Sequence, residues 1–150
     1  MEEMRLRKAV LSDVEKVSDC VYSAYQKYVP RMGKKPGPML DDYHFLIENG
    51  HVYTIEYSGC MAGVLVLKNF DAFILLENVA VLPSFQGRGL GKSMIAYAER
   101  YAYEKGIREI RLYTNAAMTE NICIYKKLGY VEYDDRYEAG YHRIYFLKTL

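Results

Sequence analysis

Residues 79–93 read Val-Ala-Val-Leu-Pro-Ser-Phe-Gln-Gly-Arg-Gly-Leu-Gly-Lys-Ser, and this stretch decides the fold. An apolar strand ends at Leu82, a turn with a proline follows, and a glycine-rich segment opens a long helical pattern. The first N–H groups of a helix lack internal partners and lie at the positive end of its dipole. The glycines that would let a ligand approach this backbone are Gly87, Gly89 and Gly91. With the charges of Arg88 and Lys92, the segment predicts a phosphate or pyrophosphate site.

Three phosphate-binding patterns can be compared with this segment. A Walker A loop needs glycine where the chain has Gln86, and the dinucleotide pattern GxGxxG needs glycine where it has Lys92. The pattern Q/R-x-x-G-x-G/A is satisfied by Gln86, Gly89 and Gly91. In this motif, and in the strand and proline before it, the chain closely resembles the GNAT superfamily of N-acetyltransferases. That superfamily carries the motif at its acyl-CoA pyrophosphate site.

Upstream of the motif, the sequence predicts a strand, two helices and a hairpin. Alternation of polar and apolar residues at 4–10 predicts the first strand, and Ser12 with Glu15 predicts a capping box at the start of a helix. Pro30 is expected to end that helix, and residues 29–38 to form a loop. The remaining upstream elements are a helix at 41–48 and strands at 51–57, 60–69 and 72–82. The turn Ser58-Gly59 joins the strands at 51–57 and 60–69 into a hairpin.

Downstream, the pattern predicts a helix over 89–105 that ends at Gly106, and a strand over 107–115. A helix at 120–128 ends at Gly129, and two strands near 130–137 and 141–148 close the chain. The predicted order is β-α-α-β-β-β-α-β-α-β-β. This order predicts an α/β (α+β) fold with a central mixed sheet flanked by helices. It matches the GNAT-like fold over essentially the whole chain, and 150 residues fit a single N-acetyltransferase domain at 1–150.

Composition and charge exclude several classes of function. Lys and Arg total 20 against 19 Asp and Glu, and a net charge of +1 argues against a dedicated nucleic-acid binder. No apolar run approaches the ~20 residues of a membrane helix, and the charged start does not resemble a secretory signal. The three cysteines and three histidines are scattered without metal-ligand spacing. We therefore expect no metal, no membrane and a reducing cytoplasmic location.

The resemblance implies an acyltransferase that moves an acetyl group from acetyl-CoA to a primary amine by direct attack. Tyr125 lies in Tyr125-Lys-Lys-Leu-Gly-Tyr130, which resembles the family's Tyr-x-x-x-Gly-Phe/Tyr segment, and is the candidate acid for the departing thiolate. Glu77 is the candidate base, although an ordered water could serve and an outward-facing glutamate paired with a basic residue is equally consistent. The resemblance assigns the N–H of Val79 as the probable donor to the oxyanion.

The resemblance also implies which residues hold the acetyl-CoA co-substrate. Backbone groups for the pantetheine and thioester carbonyl map to Val79, Ala80 and Val81. The pyrophosphate contacts map to Gln86, Gly87, Arg88, Gly89, Leu90, Gly91, Lys92 and Ser93. Lys127, with its neighbour Lys126, is a candidate for the 3′-phosphate. Residues 79–81 and 86–93 match the family motif. Lys126 and Lys127 lie outside it, and lysines on a helix more often simply face solvent.

One departure from the family concerns the pantetheine arm. The family often carries an asparagine seven residues before its helix tyrosine, and here that position is Met118. The nearest asparagines are Asn115 and Asn121. Asn121 lies one helical turn before Tyr125 on the same face, which makes it the substitute candidate.

The acceptor is the least determined part of this interpretation. The superfamily shapes its acceptor site with the first helix–helix connection and the final strands, here 29–38 and 138–141. A small-molecule or peptide amine fits, in a monomer or a homodimer. A non-catalytic acyl-CoA-binding or sensing module is the alternative, and a P-loop nucleotide binder is disfavoured by Gln86. The 16 tyrosines, ten of them at or after position 97, enrich the C-terminal elements without identifying a partner.

Overall fold

A computed structural model describes residues 3–150, and over this range seven strands form one mixed sheet in the order β1-β2-β3-β4-β5-β7-β6. The strands are β1 Met4–Lys8, β2 Val52–Tyr57, β3 Cys60–Asn69, β4 Ile74–Val81, β5 Glu109–Asn115, β6 Val131–Glu138 and β7 Tyr141–Thr149. β4 and β5 are parallel, whereas β1/β2, β2/β3, β5/β7 and β6/β7 are antiparallel. The mixed sheet confirms the predicted fold class.

The four predicted helices connect these strands in the predicted order, and a short helix that the sequence did not predict lies between the first two. The helices are α1 Val14–Tyr25, α2 Val29–Met32, α3 Tyr43–Glu48, α4 Leu90–Glu104 and α5 Thr119–Lys127. Short 3-10 turns cover Leu11–Asp13, Gln26–Tyr28, Gly37–Leu40 and Pro83–Phe85. Among residues 3–150, no helix has both the length and the apolar character to cross a membrane.

The chain divides into two compact units. The first holds the described residues up to Leu67 together with Asn78–Tyr97, and the second holds Lys68–Glu77 with Ala98–Leu150. β4 and α4 therefore contribute residues to both. The first unit carries the glycine-rich turn, and the second carries α5 and the C-terminal hairpin.

In the first unit, apolar periodicity places the core as expected. Val17 and Val21 on α1 are fully buried, and Tyr25 follows them on the same face. On α4, Met94 and Ile95 are buried. Burial of such side chains stabilises by about 1.5–3 kcal/mol each, so both helices contribute to the core of this unit.

The start of α1 differs from the prediction. Ser12 is exposed and is not the N-cap, so the Ser12–Glu15 capping box is wrong. The carboxylate of Asp13 accepts hydrogen bonds from the Val10 N–H at 2.8 Å and from the Arg7 guanidinium at 2.8 and 3.0 Å. Arg7 comes from β1, and its two-pronged contact favours Asp13 over the local Ser/Glu pattern.

The connection between α1 and α3 also differs. Pro30 does not end α1; it lies in the first turn of α2, which ends at Gly33 with φ 71°. A proline fits a first helical turn because its missing N–H would have no intrahelical partner there. The predicted loop over 29–38 is therefore partly helical, with α2 at one end and a 3-10 turn beginning at Gly37 at the other.

In the second unit, β5 alternates as predicted, with Ile110, Leu112 and Thr114 buried on one face. The ladder between β4 and β5 pairs residues 74–76 with 110–112 and extends no further, although both strands continue. β4 itself is buried on one face only. Its alternate residues Leu75, Glu77, Val79 and Val81 are half-buried, which leaves one face accessible.

Candidate active site

The turn between β4 and α4 and the first turn of α4, residues 82–93, are together called here the glycine loop. After the 3-10 turn, Gln86 is extended, and its side-chain Nε2 donates to the carbonyl of Val81 at 3.2 Å, which ties the middle of the loop to the end of β4. The carbonyl of Gly89 accepts the first helical hydrogen bond, from the Ser93 N–H at 3.0 Å. The N–H groups of residues 90–92 therefore have no intrahelical acceptor. The loop holds the open end of the helix that an anion site requires.

The three glycines of the loop are not all required for the same reason. Gly87 and Gly89 have φ values of 81° and 79°, a region that side chains rarely adopt. Gly91 has no positive φ, and a Cβ there would meet only Val81, at 4.0 Å. Neither backbone conformation nor packing requires glycine at 91. A ligand that approaches the helix start closely would require it, which is consistent with the motif's functional interpretation.

The two cationic side chains of the loop, Arg88 and Lys92, differ in their contacts. The Arg88 guanidinium lies 5.2 Å from the ring centroid of Tyr57, and that ring packs edge-on against Phe85 at 5.8 Å. Such cation–π contacts stabilise a side chain by about 0.5–1 kcal/mol at exposed sites. Lys92 is exposed on the first turn of α4. Arg88 is thus restrained at the loop by an aromatic face, whereas Lys92 extends from the helix.

The second half of β4 presents backbone groups on one edge. The carbonyl of Ala80 lies 2.7 Å from the position that a Cβ of Gly63 on β3 would occupy, and the Leu82 N–H donates to Ala62 at 2.8 Å. Peptide groups alternate sides along a strand, so those of Val79 and Val81 point away from β3. These residues also lie beyond the end of the β4–β5 ladder. The N–H of Val79 is therefore on the edge where the prediction needs an oxyanion donor.

Glu77, the candidate base on β4, lies beside a basic side chain. Its side chain is 14% exposed, and Oε2 lies 2.9 Å from the Nζ of Lys68 on β3. The same Oε2 is buried and makes no hydrogen bond of good geometry within the described residues, so the contact is an ion pair by distance only. Glu77 thus has the basic partner of the second interpretation without facing outward, and its role as a base stays a prediction.

Tyr125 is a buried residue of the second unit. It lies on α5, and its ring packs against Tyr130 at 6.0 Å and Phe146 at 6.2 Å between centroids. The neighbouring Tyr130 donates its hydroxyl hydrogen to Glu99 at 3.0 Å, and burial raises the pKa of that phenol far above its usual value. The Tyr130 hydroxyl thus makes a structural hydrogen bond and is a poor proton donor to a substrate. Tyr125 is the tyrosine of this segment whose chemical role is worth testing.

The two asparagine candidates are in different situations. The side-chain oxygen of Asn115 accepts from the Ala117 N–H at 2.9 Å and so closes the turn before α5. Asn121 is half-buried on α5, with Nδ2 3.8 Å from the sulfur of Met118, which is itself buried. Because the Asn115 oxygen already serves the turn, Asn121 remains the better pantetheine candidate. Lys127 is exposed at the end of the same helix.

Other reactive groups give no competing centre in the part of the chain that the structure describes. Residues 3–150 contain no group of three or more His, Cys, Asp or Glu placed to hold a metal. Cys20 is buried, and desolvation raises the pKa of its thiol to about 12, which makes it a poor nucleophile. Cys60 and Cys123 are exposed.

Asn78, which interrupts the apolar run of β4, was not among the predicted site residues. The strand alternation places it on the buried face with Ile74, Leu76 and Ala80. A polar side chain at a buried alternation position is a signal that the sequence already carries, because such a group needs partners.

Comparison with protein families matches residues 18–130 to the acetyltransferase (GNAT) family. The uncharacterized N-acetyltransferase YjgM of Escherichia coli (strain K12) is 32% identical over 103 residues, which cover 65% of this chain and 62% of that protein. Mycothiol acetyltransferase of Arthrobacter sp. (strain FB24) is 38% identical over 56 residues, which cover 37% of this chain and 17% of that protein. The chain thus spans less than two thirds of the length of both relatives.

Among solved structures, the fold matches the PaiA N-acetyltransferase from Thermoplasma acidophilum, crystallised in complex with coenzyme A. The TM-score is 0.80 at 17% identity, with 99% of each chain covered. At this identity the likeness establishes a shared fold. The shared fold covers both compact units and agrees with the element order that the sequence predicts.

Proposed function

Since the chain belongs to the acetyltransferase (GNAT) family, we propose that it is an N-acetyltransferase that moves an acetyl group from acetyl-CoA to a primary amine. The observation that carries the proposal is the glycine loop. It combines an open helix start with Gly91, where neither backbone conformation nor packing requires a glycine. Its first N–H groups and the helix dipole suit a pyrophosphate.

In the proposed reaction, the amine attacks the thioester carbonyl directly in a ternary complex. The new N–C bond forms as the carbonyl oxygen becomes an oxyanion, which the N–H of Val79 stabilises by a hydrogen bond. The C–S bond then breaks, and the thiolate of CoA takes a proton from the hydroxyl of Tyr125. The proton lost by the amine goes to Glu77 or to an ordered water. The products are an amide and CoA thiol.

Residues of the family motif and of α5 bind the co-substrate in this proposal. Val79 and Val81 supply backbone groups to the thioester and pantetheine, whereas the carbonyl of Ala80 faces β3 and is not available, contrary to the expectation from the motif. The loop and helix start from Gln86 to Ser93 hold the pyrophosphate. Asn121 contacts the pantetheine arm, with Asn115 as the second candidate, and Lys127 contacts the 3′-phosphate.

The acceptor is proposed to be a small-molecule or peptide amine, bound by a monomer or a homodimer. The connection between α1 and α3 would shape one side of its site, as in the superfamily, and the turn between β6 and β7 the other. We place the activity in the cytoplasm, because three free cysteines, two of them exposed, suit a reducing compartment.

The experiment that tests this function is thiol release from acetyl-CoA with a panel of amines, amino acids, polyamines and peptides. Turnover with at least one acceptor is the expected result. Tight CoA binding without turnover on any of them would favour the alternative, a non-catalytic acyl-CoA-binding or sensing module. Stabilisation by ATP-Mg but not by CoA would contradict both.

A further inference from the structure

A chain of hydrogen bonds runs through the interior of the first unit and has Asn78 at its centre. The hydroxyl of Tyr25 on α1 donates to Asn78 Oδ1 at 2.6 Å, and Asn78 Nδ2 donates to the hydroxyl of Tyr43 at 3.1 Å. Tyr43, on α3, in turn donates to the carbonyl of Pro38 at 2.5 Å. Asn78, Tyr25 and Tyr43 are 3%, 6% and 4% exposed. The chain therefore joins α1, β4 and α3 to the 3-10 turn Gly37–Leu40.

The orientation of the Asn78 side-chain amide determines which group donates in each of these hydrogen bonds. A buried polar atom without a partner costs about 1–3 kcal/mol, so each group must be satisfied. If the amide were reversed, the Tyr43 proton would turn to Asn78 and Pro38 would lose its donor. The Tyr25 proton would then turn away from Asn78, towards groups such as the carbonyl of Val79 at 3.4 Å. The much shorter contact between Tyr43 and Pro38 favours the direction described.

Asn78 thus accepts a hydrogen bond from α1 through Oδ1 and donates one to α3 through Nδ2. Its neighbour Val79 is the proposed oxyanion donor, and the hydroxyl of Tyr25 lies beside the Val79 carbonyl. The Gly37–Leu40 turn belongs to the connection that would shape the acceptor site. The glycine loop is held separately, by the bond from Gln86 to Val81.

We propose that Asn78 is a positioning residue, which sets the acceptor-side turn Gly37–Leu40 against the strand segment that carries Val79. This inference rests on the proposed acetyltransferase function and extends it to a residue that contacts neither substrate. Loss of the Asn78 link frees the turn while the glycine loop keeps its own bond. The acceptor's KM and kcat therefore depend on Asn78, and the KM for acetyl-CoA does not.

Two variants break the link without removing volume from the core. Asn78→Asp is nearly isosteric, but a carboxylate only accepts, so the Tyr43 proton turns to it and the Pro38 carbonyl loses its donor. Tyr43→Phe deletes one oxygen and removes the same link without a buried charge. Tyr22→Phe is the matched control, because Tyr22 is an exposed tyrosine of α1 outside the hydrogen-bond chain.

The measurements are steady-state kinetics with an acceptor from the amine panel and hydrogen exchange of backbone amides. In Asn78→Asp and Tyr43→Phe we expect the acceptor's KM to rise about tenfold, as expected for a lost hydrogen bond of about 1.4 kcal/mol. The KM for acetyl-CoA should stay within about twofold. Amides near the turn, such as Met39, which bonds to Pro36 at 3.0 Å, should exchange faster. Residues 86–93 and the Tyr22→Phe control should not change.

The outcomes separate this inference from the proposed function. No turnover by the wild-type chain with any amine overturns the function and the positioning role together. A wild-type chain that turns over, with both KM values unchanged in both variants, overturns only the positioning role. If kcat falls, both KM values rise and hydrogen exchange becomes faster throughout the protein, Asn78 has a purely structural role. This outcome also rejects the positioning role. If Asn78→Asp does not fold, Tyr43→Phe decides alone.

Discussion

Gly63 shows how one missing side chain sets the position of β4. A Cβ at this residue would lie 2.7 Å from the carbonyl of Ala80, 2.9 Å from Ile55 and 3.0 Å from Met94. The first of these atoms belongs to the backbone and cannot rotate away. Gly63 therefore permits the close approach of β3 to the strand segment that carries the proposed oxyanion donor.

For Gly63→Ala we expect the free energy of unfolding to fall by roughly 1–3 kcal/mol, because overpacking forces the backbone to shift. Urea unfolding monitored by circular dichroism measures it. An unchanged midpoint would contradict the close contact between Gly63 and Ala80.

Gly91→Ala should separate stability from ligand binding. The substitution meets only Val81 at 4.0 Å, and alanine favours a helix over glycine by up to about 1 kcal/mol, so the protein should be as stable or more stable. The affinity for CoA should nevertheless fall at least about tenfold, or about 1.4 kcal/mol, because a methyl group enters the space that the ligand needs. Calorimetric titration with CoA measures the affinity. Unaltered binding would show that the glycine loop does not hold the pyrophosphate.

Tyr125→Phe tests the proposed acid. The ring keeps its packing against Tyr130 and Phe146, so folding and CoA affinity should change little. Loss of proton donation should lower kcat by about 10²-fold or more when chemistry is rate-limiting. Single-turnover kinetics measures this step. Tyr103→Phe, at an exposed tyrosine of α4, is the control; a kcat equal to that of the control would reject the acid role.

At the scale of elements, the junction between β1, α1 and β2 depends on a cluster of charges. Arg7 on β1 bonds to Asp13 and, at 3.0 Å, to Glu56 on β2. Hydrogen bonds from Arg7 are the main reason that the pKa of Asp13 is lowered, with the Val10 N–H adding to the effect. The cluster therefore joins the first strand to the first helix in a way that depends on pH.

The sign of this pH dependence follows from the lowered pKa of Asp13. A carboxyl that is more acidic in the folded protein stabilises it fully above its unfolded pKa, near 4, and loses that stabilisation as the pH falls through the folded value. Asp13→Asn should lower the free energy of unfolding by about 2 kcal/mol at pH 7, and the difference should shrink below about pH 4. Urea unfolding of both proteins at pH 7 and pH 3 measures it; a difference that grows towards acid would contradict the assignment.

Along β4, residues that face the core alternate with residues to which a role in the reaction is assigned. Its buried face holds Ile74, Leu76, Asn78 and Ala80, which pack or bond into the interior. Its other face leaves Glu77 and Val79 half-buried, where the sequence predicts a base and an oxyanion donor. A two-residue period thus lets one strand carry the core and the proposed chemistry together.

At the scale of the whole molecule, ligand binding should stabilise the folded chain. If CoA binds only the folded protein, a concentration of 100 times its Kd adds about 2.7 kcal/mol to the free energy of unfolding. For a chain of 150 residues this raises Tm by roughly 5–10 °C. Thermal unfolding with and without CoA measures the shift. ATP-Mg at the same concentration should produce none, and Gly91→Ala should reduce the shift with CoA; equal shifts with both nucleotides would argue against an acyl-CoA site.

The sequence determined the features that contiguous residues encode. The Gln86–Gly91 motif, the element order and the turn at Ser58-Gly59 all depend on local spacing. The family match confirmed the resemblance, and the structure confirmed the fold class and the turn between β2 and β3, with α2 as a short helix that was not predicted. The capping box at Ser12 and the helix end at Pro30 were wrong. The first failed because Arg7 reaches Asp13 from a strand, and the second because a proline fits the first turn of a helix equally well.

Only the tertiary structure decided which polar side chains meet. The pairs Tyr25–Asn78, Asn78–Tyr43 and Arg7–Glu56 join residues 53, 35 and 49 positions apart. Lys68 likewise reaches Glu77 across neighbouring strands. Periodicity shows that a residue is buried, but the partner that satisfies it depends on strand register and helix packing, which no local pattern contains. Local sequence patterns were therefore enough to identify the family, the fold class and the candidate chemistry, whereas the packing of distant elements brings together the polar groups around that chemistry.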